Sequence, residues 1–235
     1  MTDTPPPPAA DAPRRAIRSF VRRAGRITAA QSRALAEQWG RYGVDFTGDS
    51  IDLDALFGRR APRTVEIGFG DGESLVALAA ARPDRDFLGL EVHEPGVGHC
   101  LLRAAALDLG NLRVVGHDAV EVLERGIAPE TLDEVLVYFP DPWPKSRHHK
   151  RRIVQPAFAA LVASRLARGG RLRLATDWVP YAEWMREVME ASSDYQSLGG
   201  PDGTVPRPAE RPVTKFERRG TRLGHEVRDL AYRRL

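Results

Sequence analysis

The stretch VEIGFGDGESL, Val65 to Leu75, passes from a β-branched run through a glycine loop into a helical pattern. Glycines at 68, 70 and 72 let the backbone turn tightly and approach a ligand, and Glu66 stands in the strand just before them. The same texture recurs on either side. Runs suited to strands at 64–67, 87–92, 112–115, 134–138 and 171–175 alternate with helical patterns near 73–82, 95–109, 119–125, 155–167 and 181–191. Alternation of this kind builds βαβ units, so the expected class is α/β with a doubly wound, mostly parallel sheet. After the loop LGGPDGTVPRPAERP, the basic end is expected to add edge strands.

Spacing in the loop chooses between ligands. A dinucleotide site places its third glycine three positions after the second, so that a helix N-terminus can accept a pyrophosphate. Here that position is Glu73, whose charge repels phosphate. S-adenosylmethionine has no phosphate; its sulfonium and amino groups suit carboxylate neighbours. The segment resembles the first motif of the methyltransferases that bind S-adenosylmethionine on a Rossmann-like sheet. On that reading Glu66, Gly68 and Gly70 belong to the cofactor site. Glu91, in LGLEVHE, stands where an acid takes the ribose hydroxyls, and Asp118, in VVGHDAV, where a side chain reaches the adenine amino group. Plainer roles stay open: Glu91 as an acid before a helix, Asp118 as a helix N-cap.

The fourth strand pattern runs into FPDPWPKSRHHKRR, Phe139 to Arg152. Prolines at 140, 142 and 144 fix φ, so Asp141 and Trp143 are held stiffly at the carboxyl edge of the sheet, beside the expected methyl donor. With its basic continuation, this stretch closely resembles the signature of the bacterial tRNA (guanine-N7)-methyltransferase family. LRLATDWVPYAEWM, with Asp177, and RPVTKFERRGTRLGH, with Thr214-Lys215-Phe216-Glu217, agree with it, and RSFVRRAGR from Arg18 looks like that family's N-terminal arm. The chain departs from the family pattern at Ser146, where a base is expected, at Asp71, an added acid, and at Arg228, where an aromatic is common.

The resemblance implies a seven-stranded Rossmann-like methyltransferase sheet with an antiparallel C-terminal edge strand. It implies methyl transfer from S-adenosylmethionine, leaving S-adenosylhomocysteine, to N7 of a tRNA guanine, with position 46 of the variable loop expected. Guanine N7 carries a free lone pair, so no base is needed; charge moves onto the ring, and a fixed carboxylate can stabilise it. Asp141 is the expected catalytic carboxylate and also a cofactor contact. Lys145, Asp177 and Thr214, Lys215, Phe216 and Glu217 are implied to bind tRNA, Asp177 and Glu217 at the donor edge of a flipped guanine. The cations Arg147, Lys150, Arg151 and Arg152 should grip phosphates. The pattern Thr-x-x-Glu also fits a capping box, but Arg-Arg-Gly follows where an apolar helical run should begin, which weighs against that role.

Charge distribution supports a polyanionic partner. From 61 to 140 six arginines face fourteen acids, a local balance of −8, while cations crowd the segments on either side. Cys100 is the only cysteine, which leaves no intrachain disulfide and no multi-cysteine zinc site and suggests a reducing compartment. His148 and His149 lack a spaced partner, so no metal is expected. Residues 1–13 are proline-rich and are expected to be a disordered tail; 14–60 form a basic arm with a short helix near 29–39; 61–235 form the methyltransferase domain. No stretch suits a membrane span or a leader, so the expected setting is cytoplasmic, as monomer or homodimer. Competing classes are a non-catalytic RNA-binding protein on a methyltransferase-like fold, a methyltransferase acting on another nucleobase, and, weakest, a nicotinamide oxidoreductase.

Overall fold

In the computed structural model, Ser19, residues 25–222 and residues 224–235 are described, with Lys215, Phe216 and Arg219 as backbone alone. The proline-rich tail and most of RSFVRRAGR lie outside the described residues. Among those described, eight strands form one sheet: β1 (Gly43–Val44), β2 (Arg63–Ile67), β3 (Asp86–Leu90), β4 (Leu112–Val115), β5 (Leu132–Tyr138), β6 (Leu166–Thr176), β7 (Tyr195–Ser197) and β8 (Arg228–Arg234). Their order is β1-β4-β3-β2-β5-β6-β8-β7. The first six are parallel to one another, and β8 runs antiparallel to both β6 and β7. Starting from β2, the chain steps outward through β3 and β4, then returns to build β5 and β6 on the other side. That reversal opens a crevice at the carboxyl ends of β2 and β5, the ligand-binding position of such sheets.

The antiparallel edge expected of the C-terminus is a pair of strands, because three-residue β7 lies outside β8. The eighth strand, β1, is two residues long and shows no side-chain period, so it is not visible as a strand in the sequence.

Alternation along each strand divides the core between the two faces. Val65, Ile67, Val135, Val137, Leu172 and Leu174 pack on one side with α6 (Pro156–Arg165) and α7 (Val179–Glu190). Leu136, Tyr138 and Ala175 pack on the other with α1 (Ala29–Tyr42), α3 (Glu73–Ala81) and α4 (Glu94–Ala106). Helix α1 starts at a capping box: Gln31 N–H donates to Thr28 Oγ1 at 3.2 Å and Thr28 N–H to Gln31 Oε1 at 2.8 Å. It runs three residues beyond the expected end, to Tyr42, a fully buried side chain whose hydroxyl donates to the Ala104 carbonyl of α4 at 3.2 Å. The expected helix at 119–125 is one turn, α5 (Ala119–Glu121), followed by a π-helical turn (Val122–Gly126). Besides the short α2 (Leu53–Phe57), the last helix is α8 (Lys215–Arg222).

Candidate active site

The glycine loop is built by local backbone chemistry. Gly68, Gly70 and Gly72 have φ of +70°, +59° and +75°, the left-handed region that only glycine enters freely. Gly68 N–H donates to the Leu90 carbonyl at 2.8 Å, and Gly70 N–H to Glu91 Oε2 at 2.9 Å. A Cβ on Gly72 would lie 2.6 Å from the sulfur of Cys100 in α4, so the loop is pressed onto that helix and Cys100 serves packing. A Cβ on Gly68 would meet nothing, because that glycine faces an open cleft of about 210 Å³.

Glu91, Asp118 and Asp141 share that cleft with Gly68, Ser19 and Phe139. The other Glu91 oxygen, Oε1, accepts the N–H groups of Val92 and His93 at 2.7 and 2.9 Å. Asp118 has both of the roles open in the sequence. It lines the cleft, and it caps α5 by accepting Val120 N–H at 2.9 Å. Glu66 and Gly70 do not line the cleft. Glu66 stays in β2, 2% exposed, with Oε2 lacking a hydrogen-bond partner among the described residues. Burial pushes its pKa up to about 8. Gly70 acts on the cleft through its bond to Glu91. His117 also lines the cleft, with Nε2 2.6 Å from Glu121 Oε2; its only sequence signal is its place beside Asp118.

The turn after β5 is strained at both ends. Phe139 and Trp143 have φ of +52° and +45°, rare for residues with a side chain. Phe139 N–H donates to the Ala175 carbonyl at 2.8 Å, and Asp141 stands exposed between them at the cleft. The Trp143 indole donates to the Ser19 carbonyl at 3.3 Å, with Arg151 4.8 Å over its ring and His148 against its edge.

Beyond the turn, Ser146–Arg151 form a 3₁₀ helix. Lys145, Arg147 and Lys150 are exposed there. His148 is held below the ordinary imidazole value, by desolvation first and then by its cationic neighbours. Arg152, expected among the phosphate contacts, is instead 3% exposed and turned inward. Its Nε donates to the Pro142 carbonyl at 3.0 Å, and its guanidinium lies 4.8 Å over the Tyr181 ring. Through the Pro142 carbonyl the guanidinium braces the backbone that carries Asp141.

The C-terminal segment departs further from the sequence reading. Thr214 Oγ1 accepts Glu217 N–H at 3.3 Å at the start of α8, so Thr-Lys-Phe-Glu does begin a helix. Glu217 is buried, its carboxylate held by Arg211 at 2.6 and 3.3 Å rather than presented to the cleft. The side chains of Lys215 and Phe216, expected at the RNA, lie outside what is described. Asp177 does not cap α7, whose N-cap has no side-chain bond; it pairs with His225 Nδ1 at 3.3 Å. A Cβ on Gly220 would fall 2.7 Å from Asp177 Oδ2, and Arg218 reaches Glu73 at 3.1 Å, so α8 lies across both Asp177 and the start of α3.

A family model described as putative methyltransferase matches residues 60–230. A tRNA (guanine-N(7)-)-methyltransferase of Halorhodospira halophila (strain DSM 244 / SL1) is 58% identical over 220 residues, 93% of this chain and 95% of that protein. One of Escherichia coli (strain K12) is 58% identical over 223 residues, 95% of this chain and 93% of that protein. In fold, the chain is similar to the antibiotic-resistance methyltransferase Kmr, with a TM-score of 0.55 at 17% identity over 82% of this chain and 94% of that one. The chain belongs to the tRNA (guanine-N(7)-)-methyltransferase family.

Proposed function

We propose that this chain transfers a methyl group from S-adenosylmethionine to N7 of a guanine in the variable loop of tRNA, position 46 being the expected site. The enzyme class follows from the family; the assignment of roles rests on the stiff turn that sets Asp141 at the same cleft as Glu91 and Asp118. S-adenosylmethionine supplies an activated methyl on a sulfonium and needs no phosphate site, which agrees with Glu73 at the start of α3. Three of the roughly four acceptor positions of the Glu91 carboxylate are taken by backbone N–H groups, which leaves Oε2 able to accept a ribose hydroxyl. Asp118 would face the adenine, and the open side of Gly68 gives the room for close approach.

At the reacting end this chain holds and orients rather than abstracting a proton. Guanine N7 has a lone pair to offer, so the incoming ring needs alignment and a counter-charge for the positive charge it gains. Asp141, on a turn with three prolines, supplies a carboxylate that does not have to reorganise. Exposed Lys145, Arg147 and Lys150 would hold neighbouring phosphates, and Asp177 would meet the purine edge from the α8 side. We place the protein with its tRNA in the cytoplasm.

The test is incubation with methyl-labelled S-adenosylmethionine and unmodified tRNA, followed by nucleoside digestion and mass analysis. Labelled 7-methylguanosine from the variable loop is the expected result. Label in another nucleoside overturns the assignment of the acceptor atom, and tRNA binding without any label overturns the catalytic reading.

A further inference from the structure

Among the described residues Arg211 is, by volume, the foremost of the fully buried side chains, at 1% exposure, and nothing in the reaction uses it directly. It joins two regions far apart in sequence. On one side its guanidinium donates to Glu217 Oε2 at 2.6 Å and Oε1 at 3.3 Å in α8, and to Asp229 Oδ2 at 2.9 Å in β8. On the other it lies 5.5 Å from the ring centres of both Tyr138 and Phe139. Phe139 is the left-handed residue that opens the Asp141 turn.

Burying a cation with two carboxylates is costly unless the geometry is good, and such a cluster is weak evidence for stability. Its value lies in fixing geometry. A guanidinium is planar, and it can take a carboxylate with its edge while stacking on aromatic rings with its face. A non-glycine residue with positive φ persists only where its surroundings over-determine it. Arg211 is the ionic contact that Phe139 makes from outside its own turn, and it is also what fixes Glu217.

We propose that Arg211 is a positioning residue for methyl transfer, locking the C-terminal helix α8 and the Asp141 turn into one unit. Seating of RNA against α8 and placement of the carboxylate then depend on a single buried side chain. The inference rests on Asp141 as the carboxylate of the reaction.

The experiment compares wild type with Arg211→Met and Arg211→Lys in the full chain, measuring single-turnover methylation of unmodified tRNA, KM for tRNA, cofactor Kd and melting temperature. Each rate is taken well below the melting point and corrected for the folded fraction. Misplacement of a reacting group by about 1 Å costs on the order of a hundredfold, so kcat should fall roughly ten- to a hundredfold while cofactor Kd changes less than about threefold. Arg211→Lys should behave likewise, because a compact ammonium has no planar fork with which to take a carboxylate by its edge while its face lies on the two rings, and it covers the case in which Arg211→Met fails to fold. Placing each change on a Phe139→Gly background should shrink its effect on kcat, since glycine accepts the positive φ unaided. An unchanged kcat with raised KM, a rate loss that disappears on correction for folded fraction, or full additivity with Phe139→Gly each overturns the proposal. Asp141→Ala, run in parallel, separates the two ideas: if it keeps wild-type turnover, the underlying assignment fails whatever Arg211 does.

Discussion

The glycine loop at 68–72 and the proline turn at 139–143 end neighbouring strands and use the same left-handed backbone in opposite ways. In the loop all three positive φ values fall on glycines and cost little. In the turn they fall on Phe139 and Trp143, at about 1–2 kcal/mol each. The loop is held from within about thirty residues, by Glu91 and by α4. Contacts to the turn come instead from Arg151 and Arg152 just beyond it, and from Ser19, Ala175 and Arg211 far from it in sequence. The loop is thus assembled locally, whereas the turn that carries Asp141 is assembled from parts of the chain far apart in sequence.

The sharpest way to break this contrast is at the carboxylate. Asp141→Ala removes a group that makes no hydrogen bond among the described residues, so folding and the loop side should be untouched. Like other pre-aligned electrostatic groups, it should account for about a hundred- to a thousandfold in kcat. Turnover assays with cofactor Kd measured alongside check this, and a loss of cofactor affinity equal to the loss of rate would merge the two regions into one.

The loop should break differently. Gly72→Ala brings a Cβ to 2.6 Å from the Cys100 sulfur at a φ of +75°, so strain and overpacking together should destabilise the fold by about 3 kcal/mol. Gly68→Ala meets open space and should cost stability only the backbone strain, about 1–2 kcal/mol, while weakening cofactor binding. Thermal melts with and without cofactor distinguish them.

Glu66 adds a pH dependence to the loop side. Its folded pKa is raised to about 8 from an ordinary 4.5. The folded state therefore keeps a proton that the unfolded chain releases, and this contribution is complete below pH 4.5, declines as pH rises and is gone above pH 8. Glu66→Gln removes the titration but leaves a buried amide, so at pH 8 it should stabilise the cofactor-free protein by roughly 2 kcal/mol. At pH 4.5 it should be neutral or destabilising. Denaturant melts across that range report the slope, and parallel curves for the two proteins would show that Glu66 does not hold its proton.

These differences also mark what a reader of the sequence can see. VEIGFGDGESL declares itself because glycines, strand and helix are contiguous, and the acids at 91 and 118 follow successive strands in the same way. FPDPWP is legible because prolines stiffen any chain. Arg152 and Arg211 are not legible, since an arginine bracing a turn from inside is written with the same letter as one gripping phosphate, and neither lies in an apolar pattern. Helix α8 is hidden for a related reason: KFERRGTR carries no apolar stripe to announce it, and Glu217 and Arg218 tie it down by ionic contacts. Strand β1 is too short to have a period.

The smallest effect sharpens the comparison within one run of cations. Lys145 and Lys150 are exposed without a described partner, whereas Arg152 is buried beneath the turn. If only the first two meet phosphate, Lys145→Ala and Lys150→Ala should each weaken tRNA binding a few-fold and lower the slope of log K against log salt by roughly 0.7–0.9. Their kcat at saturating tRNA should stay near wild type. Arg152→Lys should do the reverse, leaving the salt slope alone while kcat falls, because an ammonium cannot both donate to Pro142 and lie flat on Tyr181. Salt titrations of tRNA affinity on the three variants settle which cations face the polyanion, and a reduced slope for Arg152→Lys would return that residue to the phosphate-binding set.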